Sequence, residues 1–197
     1  MRGTGLLSRY RRKREGKTDY RRRLRLLKSG RPRLVVRTSN RYLFAQLVVY
    51  SPGGDLVLAQ AGSKDLQKLG WRGDEDNLAA AYLTGLLLAK RSMEKIPGQE
   101  RVIPDVGMHA PHPGGRVYAL LMGASQGGLP IQLAEEMMVD ESRIRLEQLA
   151  SYAAELKSKD PGRYSKMFSR YLVRGLEPIS LPSHFEEIKK VIGGQDV

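Results

Sequence analysis

Four carboxylates and two histidines are the residues of this chain whose types could do bond-making chemistry. Asp55, Glu75, Asp76 and Asp105 would be needed together in a metal-dependent nuclease, where several acids converge on Mg²⁺ for phosphoryl transfer. Three of them have plainer uses. Asp55 closes the turn sequence SPGGD, which favours Asp for its backbone geometry alone. Glu75 and Asp76 stand where helix N-termini collect acids. Only Asp105 has no local reason to be where it is. His109 and His112 are spaced H-x-x-H in the loop GMHAPHPGG, and the third histidine, His184, is far away in sequence. Two ligands do not make a zinc site, so this reads as a surface or RNA-contacting loop. The chain has no cysteine, which removes disulfides, thiolate metal sites and a thiol nucleophile together. Ser8, Ser39 and Ser125 lack the nucleophile-elbow context, and neither common glycine-rich phosphate loop is present. The sequence makes no case for an enzyme, a cofactor or a small-molecule substrate.

The stronger chemistry is cationic. Residues 1–41 hold 16 Lys or Arg against Glu15 and Asp19, a surplus of +14; with +13 overall, residues 42–197 carry −1. A charge excess confined to one end of a nearly neutral chain points to a polyanionic partner, with nucleic acid first and an anionic membrane surface second. Each phosphate neutralised releases counterions, so such a segment supplies much of an affinity by itself. Arginine outnumbers lysine there by 13 to 3. Guanidinium groups fork onto phosphate, stack on bases and reach guanine edges better than an ammonium does. Tyr10 and Tyr20 add stacking surfaces among the charges.

The elements that must position these groups follow from pattern. Residues 1–17 have no hydrophobic periodicity and are expected to stay disordered until a partner arrives. Thr18 can cap a helix that Gly30 closes. In it Tyr20, Leu24 and Leu27 form an apolar stripe toward the core, beside a basic stripe of Arg21, Arg25 and Lys28. Residues 33–39, 43–50 and 56–61 read as an antiparallel meander, followed by a loop over 62–76 that holds the only Trp, Trp71. Asn77 caps a buried helix over 78–93. Its longest apolar run, residues 78–89, is 12 long, against about 20 for a membrane span, so no membrane partner is expected. Residues 101–106 read as a strand that Pro104 confines to a sheet edge or a bulge, and residues 116–125 as a helix. Helices are expected over 141–157, 163–174 and 182–192, in an extension outside the compact domain. The fold class is mixed α/β: a three-stranded antiparallel meander plus a further strand, packed on helices. Its parts are a basic arm with a short helix (1–30), an α/β core (31–130) and a helical C-terminal extension (131–197).

Several segments in order resemble one family. RRKREGKTDY at 11–20, RPRLVVRTSN at 31–40 and Gln46 are followed by AAYLTGLLL at 80–88, DVG at 105–107, GRV at 115–117, GGLPI at 127–131 and DESRI at 140–144. Together they resemble the universal large-subunit ribosomal proteins of the L-eighteen family, in the archaeal and eukaryotic branch, over about residues 9–157. Pro104 is a local departure. The resemblance implies a structural protein of the cytoplasmic ribosome. It would bind 5S rRNA and help attach it to 23S rRNA in the central protuberance, beside neighbouring large-subunit proteins. Carried over by position, the implied RNA contacts are Arg9, Arg11, Arg12, Lys13, Arg14 and Lys17 in the arm. Tyr20, Arg21, Arg22 and Arg25 follow on the first helix, and Arg33, Arg37, Ser39, Asn40 and Arg41 at the first strand and turn. Two rivals stand beside this reading: a metal-dependent nuclease built on the meander, and a DNA-binding or chromatin-type protein using the same arm.

Overall fold

The computed structural model describes residues 10–95, 101–108 and 110–194. Arg9 and His109, both singled out above, lie outside the described residues. The alternation of apolar residues builds β1 (Arg33–Thr38), β2 (Leu43–Val49) and β3 (Leu56–Gly62), close to the expected bounds. β1 pairs antiparallel with β2, and β2 with β3. The fourth strand, β4 (Ile103–Asp105), pairs parallel with β1 and closes the order β3-β2-β1-β4. Pro104 therefore sits on an edge strand, where its missing N–H is tolerated.

One face of the sheet makes the core. Leu34, Leu47 and Ala59 lie in register across three strands, as do Val36, Ala45 and Ala61, and all six are buried. Against this face lies α4 (Leu78–Ser92), capped by the Asn77 side chain, which accepts from the Ala80 N–H at 2.8 Å. The helix is apolar nearly all round, and α5 (Arg116–Gln126) covers its other side. The two helices meet at glycines. A Cβ on Gly85 would stand 2.0 Å from the Leu120 carbonyl oxygen, and one on Gly123 would stand 2.1 Å from that of Tyr82. Only glycine allows backbones this close. The expected loop over 62–76 contains a short helix, α3 (Asp65–Lys68), and Trp71 there is 2% exposed.

Two expectations need correction at the N-terminal end. Where disorder was expected, Arg11–Arg14 form one helical turn, α1. The Lys17 and Thr18 N–H groups bond back to the Arg12 carbonyl at 2.9 and 3.2 Å. The next helix, α2 (Tyr20–Leu27), is capped by Asp19 rather than Thr18. The Thr18 hydroxyl is occupied, accepting from Arg12 Nε at 2.9 Å. Nor does α2 bury its apolar stripe: none of its residues is buried and Leu24 is 56% exposed.

The C-terminal segment differs most from expectation. Ile131, Val139 and Ile144 join the main core, and so do Phe185, Ile188 and Ile192 of the last helix, α10 (Leu181–Gly194), which packs on α4. The extension thus returns to the compact body. The single helix expected over 141–157 is two, α6 (Glu141–Ile144) and α7 (Glu147–Lys159), broken at Leu146 in a left-handed conformation (φ 60°). α8 (Pro161–Met167) and α9 (Ser169–Val173) replace the helix expected over 163–174. Their Tyr164, Phe168 and Tyr171 form a second small core with Ala153, Leu156, Leu176 and Leu181.

Candidate nucleic-acid interface

Arginines, not apolar contacts, fix α2 to the body. Arg22 Nη1 donates to the Gly107 carbonyl at 2.8 Å, and Arg23 Nη2 lies 2.9 Å from the Asp55 carboxylate. The same Asp55 oxygen is 2.7 Å from Arg33 Nη2, while Arg33 Nη1 meets Asp105 at 2.9 Å. Arg37 adds bonds to the Asp105 carbonyl (2.7 Å) and carboxylate (3.4 Å), and the Gly107 N–H donates to Asp105 at 3.0 Å. A charge-assisted chain thus runs from the helix through the β2–β3 turn to the edge strand. Burial pushes the Asp55 carboxyl upward, but the hydrogen bonds and charges of Arg23 and Arg33 outweigh it and hold it below its ordinary value. Arg22 and Arg21 main-chain N–H groups hold the Asp19 carboxyl low at the cap.

This chain explains the odd acid. Asp105 is the counterion of Arg33 and Arg37, not one of a converging set. Asp55 serves arginines as well as its turn, and Asp76 lies beside Arg116 at 3.8 Å. Among the described residues no three His, Cys, Asp or Glu side chains stand together as a metal site would require.

The predicted RNA-contacting residues divide into two groups. Arg11, Arg12, Lys13 and Arg14 on α1 are exposed, with Lys17 beyond them. Glu15 lies 3.5 Å from Arg11 and 2.9 Å from Lys17, exposed pairs of little strength that a phosphate can displace. Arg21 and Arg25 are exposed, and their guanidinium groups meet no acid among the described residues. Tyr20 is half-buried under Tyr10, their ring centroids 5.1 Å apart, leaving Tyr10 71% exposed. Asn40 and Arg41 are exposed at the β1–β2 turn.

The second group is engaged within the protein. Arg33 is 1% exposed and spends its guanidinium on Asp55 and Asp105, so its assignment as an RNA contact is corrected. Arg22 is half-buried and tied to Gly107. Ser39 uses its hydroxyl on the turn, donating to the Tyr42 carbonyl (3.0 Å) and accepting from the Tyr42 N–H (2.9 Å). Arg37 keeps its side chain 45% exposed despite its bonds to Asp105. It borders a cleft of about 340 Å³ between the arm, α2 and the loop after β4, shared with Arg12, Lys17, Tyr20 and Met108.

The sequence reading missed the outward sheet face beside this cleft. Phe44 is paired with Arg37 and is 39% exposed, and Gln46 lies between Val35 and Gln60. The alternation of β2 held the signal, since Phe44 and Gln46 fall opposite in phase to Leu43, Ala45 and Leu47. An aromatic ring and amides on a strand face, next to a guanidinium, can stack on bases and bond their edges.

Comparison with known proteins gives a consistent result. The family model described as ribosomal large subunit proteins 60S L5 and 50S L18 matches residues 7–102. The large ribosomal subunit protein uL18 of Aeropyrum pernix is 49% identical over 183 residues, 92% of this chain and 85% of the relative. The uL18 protein of Caldivirga maquilingensis is 47% identical over 184 residues, 93% and 88% of the two chains.

Proposed function

As the chain belongs to the family of 60S L5 and 50S L18 and is a structural, non-enzymatic constituent of the large ribosomal subunit, we propose that it binds 5S rRNA and helps attach it to 23S rRNA in the central protuberance. The observation that carries this reading is the division of labour among its N-terminal arginines. Arg22, Arg23 and Arg33 turn inward and fix α2, which leaves Arg11, Arg12, Lys13, Arg14, Arg21 and Arg25 exposed on a braced scaffold. A braced cationic surface loses less conformational entropy on binding than a free tail. The exposed arm supplies phosphate contacts, which position the RNA without reading it. The β1–β2 turn and the Phe44–Gln46 strand face supply stacking and hydrogen bonds to loops and 2′-hydroxyls. Arg9 is part of this proposal by its place in the run.

The test is a gel shift of the full chain against 5S rRNA, an unrelated RNA and duplex DNA, each at two salt concentrations. The expected result is preference for 5S rRNA at the higher salt. Deleting residues 1–17 is expected to lower 5S affinity by orders of magnitude and to flatten its salt dependence. A deleted protein that binds 5S rRNA as tightly as the full chain overturns the reading. Equal competition by duplex DNA supports the chromatin-type rival instead.

A further inference from the structure

The near-neutral charge of residues 42–197 hides a second basic surface. Between Pro161 and Leu176 there are four bases, Arg163, Lys166, Arg170 and Arg174, and no acid. Arg163 and Lys166 lie on α8, Arg170 on α9 and Arg174 at the C-terminal cap of α9. The rotation of the helices is fixed from the other side, where Tyr164, Phe168 and Tyr171 are sealed in the small core. Arg163 and Lys166 are exposed, and Arg170 has 76% of its side chain in solvent.

Arg72, from the loop between α3 and α4, joins the stripe. Its Nη1 donates to the Gly175 carbonyl at 3.4 Å, and Arg174 Nη1 returns a bond to the Gly73 carbonyl at 2.7 Å. Main-chain carbonyls thus brace two guanidinium groups from segments about a hundred residues apart. Two carboxylates border the stripe: Asp74, its side chain 24% exposed, at 3.7 Å from Arg174 and 3.8 Å from Arg170, and Asp160, which accepts from the Arg163 N–H at 2.9 Å. Elsewhere in the C-terminal layer three bases are matched by acids: Lys157 meets Glu177 at 3.2 Å, Lys159 meets Glu155 at 2.5 Å and Arg145 meets Glu141 at 3.2 Å.

Gathering five cations beside only two carboxylates costs self-repulsion that a bound polyanion removes. From this we propose that α8, α9 and the Arg72 loop form a second rRNA-binding surface, which takes the phosphate backbone. This inference rests on the ribosomal reading above. The surface lies apart from the arm. α2 is anchored at Asp55, just before β3, whereas the Arg72 loop follows the opposite end of β3 beyond Gly62. The two basic surfaces therefore engage different stretches of RNA.

The experiment uses the full chain and the variant Arg163→Gln/Lys166→Gln/Arg170→Gln, titrated separately with 5S rRNA and 23S rRNA over a salt series. Three lost phosphate contacts are expected to lower the slope of log K against log salt by about 2 to 3 on at least one of these RNAs. All three side chains are exposed, so the melting temperature is expected to hold; the double variant Arg163→Gln/Lys166→Gln repeats the test with less change. Unchanged slopes on both RNAs overturn the second surface, including the case in which the stripe captures an acidic protein instead. Arg11→Gln/Arg12→Gln/Lys13→Gln/Arg14→Gln, run in parallel, reports on the arm independently. If that variant also leaves both slopes unchanged, the arm reading fails with it.

Discussion

Arg33 and Asp105 meet diagonally across the parallel β1–β4 pair, in which Asp105 is in register with Val35, Nη1 to carboxylate 2.9 Å, with side-chain exposures of 1% and 9%. Removing one member strands the other as a buried charge, whereas replacing both by apolar groups of similar volume is far milder. Asp105→Ala is expected to lower stability in urea by about 3–5 kcal/mol, and Arg33→Met/Asp105→Leu by much less. A metal-dependent nuclease would show the opposite pattern: Asp105→Asn would abolish Mg²⁺-dependent RNA cleavage and leave stability almost unchanged.

The stripes of α2 predict a separation of effects. Arg21→Ala and Arg25→Ala should each weaken RNA binding and lower its salt slope by about 1, with thermal stability unchanged. Arg23→Ala should release α2 from Asp55 and expose residues 20–28 to faster amide exchange. Equal effects of Arg21→Ala and Arg23→Ala on both readouts would contradict the inward and outward assignment.

Acid should loosen α2 before it unfolds the core. The Asp55 carboxyl is held below the ordinary 3.8 by Arg23 and Arg33, which outweigh its burial. A carboxylate depressed in the folded state contributes stability that is complete above its unfolded value and is lost as pH falls through the folded one. Protection of the α2 amides, relative to their intrinsic exchange rates at each pH, is therefore expected to be constant well above pH 3.8 and to fall as pH drops below it. Asp55→Asn should show the reduced protection at every pH.

Neighbouring turn residues should behave differently. Asn40→Ala is expected to cost about 1–3 kcal/mol of 5S rRNA affinity, as for a lost base contact, with the melting temperature intact. Ser39→Ala removes bonds to Tyr42 and should lower the melting temperature first. Isothermal titration beside calorimetric unfolding distinguishes the two.

Gly85→Ala places a methyl 2.0 Å from the Leu120 carbonyl oxygen. The helices α4 and α5 must then separate, a strain of the overpacking kind that costs about 1–3 kcal/mol or more. Thermal unfolding reads this directly, and a wild-type melting temperature would show that the interface is looser than its geometry.

Local pattern carried far in this chain. Alternation marked β1, β2 and β3, and Asn77 before an all-apolar run marked α4, since these signals act within a few residues. Pro104 marked the edge strand by its missing donor. What stayed hidden depends on partners distant in sequence. Asp55 in SPGGD looks complete as a turn residue, and only the fold brings Arg23 and Arg33 to it. Arg33 sits in β1 at the right phase for the outward face, and nothing in RLVVRTS says that this part of the face is covered. Phe185, Ile188 and Ile192 announce an apolar helix side, but not that the main core receives it. Net charge over 42–197 averaged away the stripe on α8 and α9.

The return of α10 also sets an order of events. Ile192 is sealed in the same core as Leu34, so that core stays open until nearly all described residues have been made. Synthesis runs from the N-terminus, and the cationic residues 10–28 emerge long before this closure. During manufacture the RNA-facing end is on offer first, and the body that aims it is finished last.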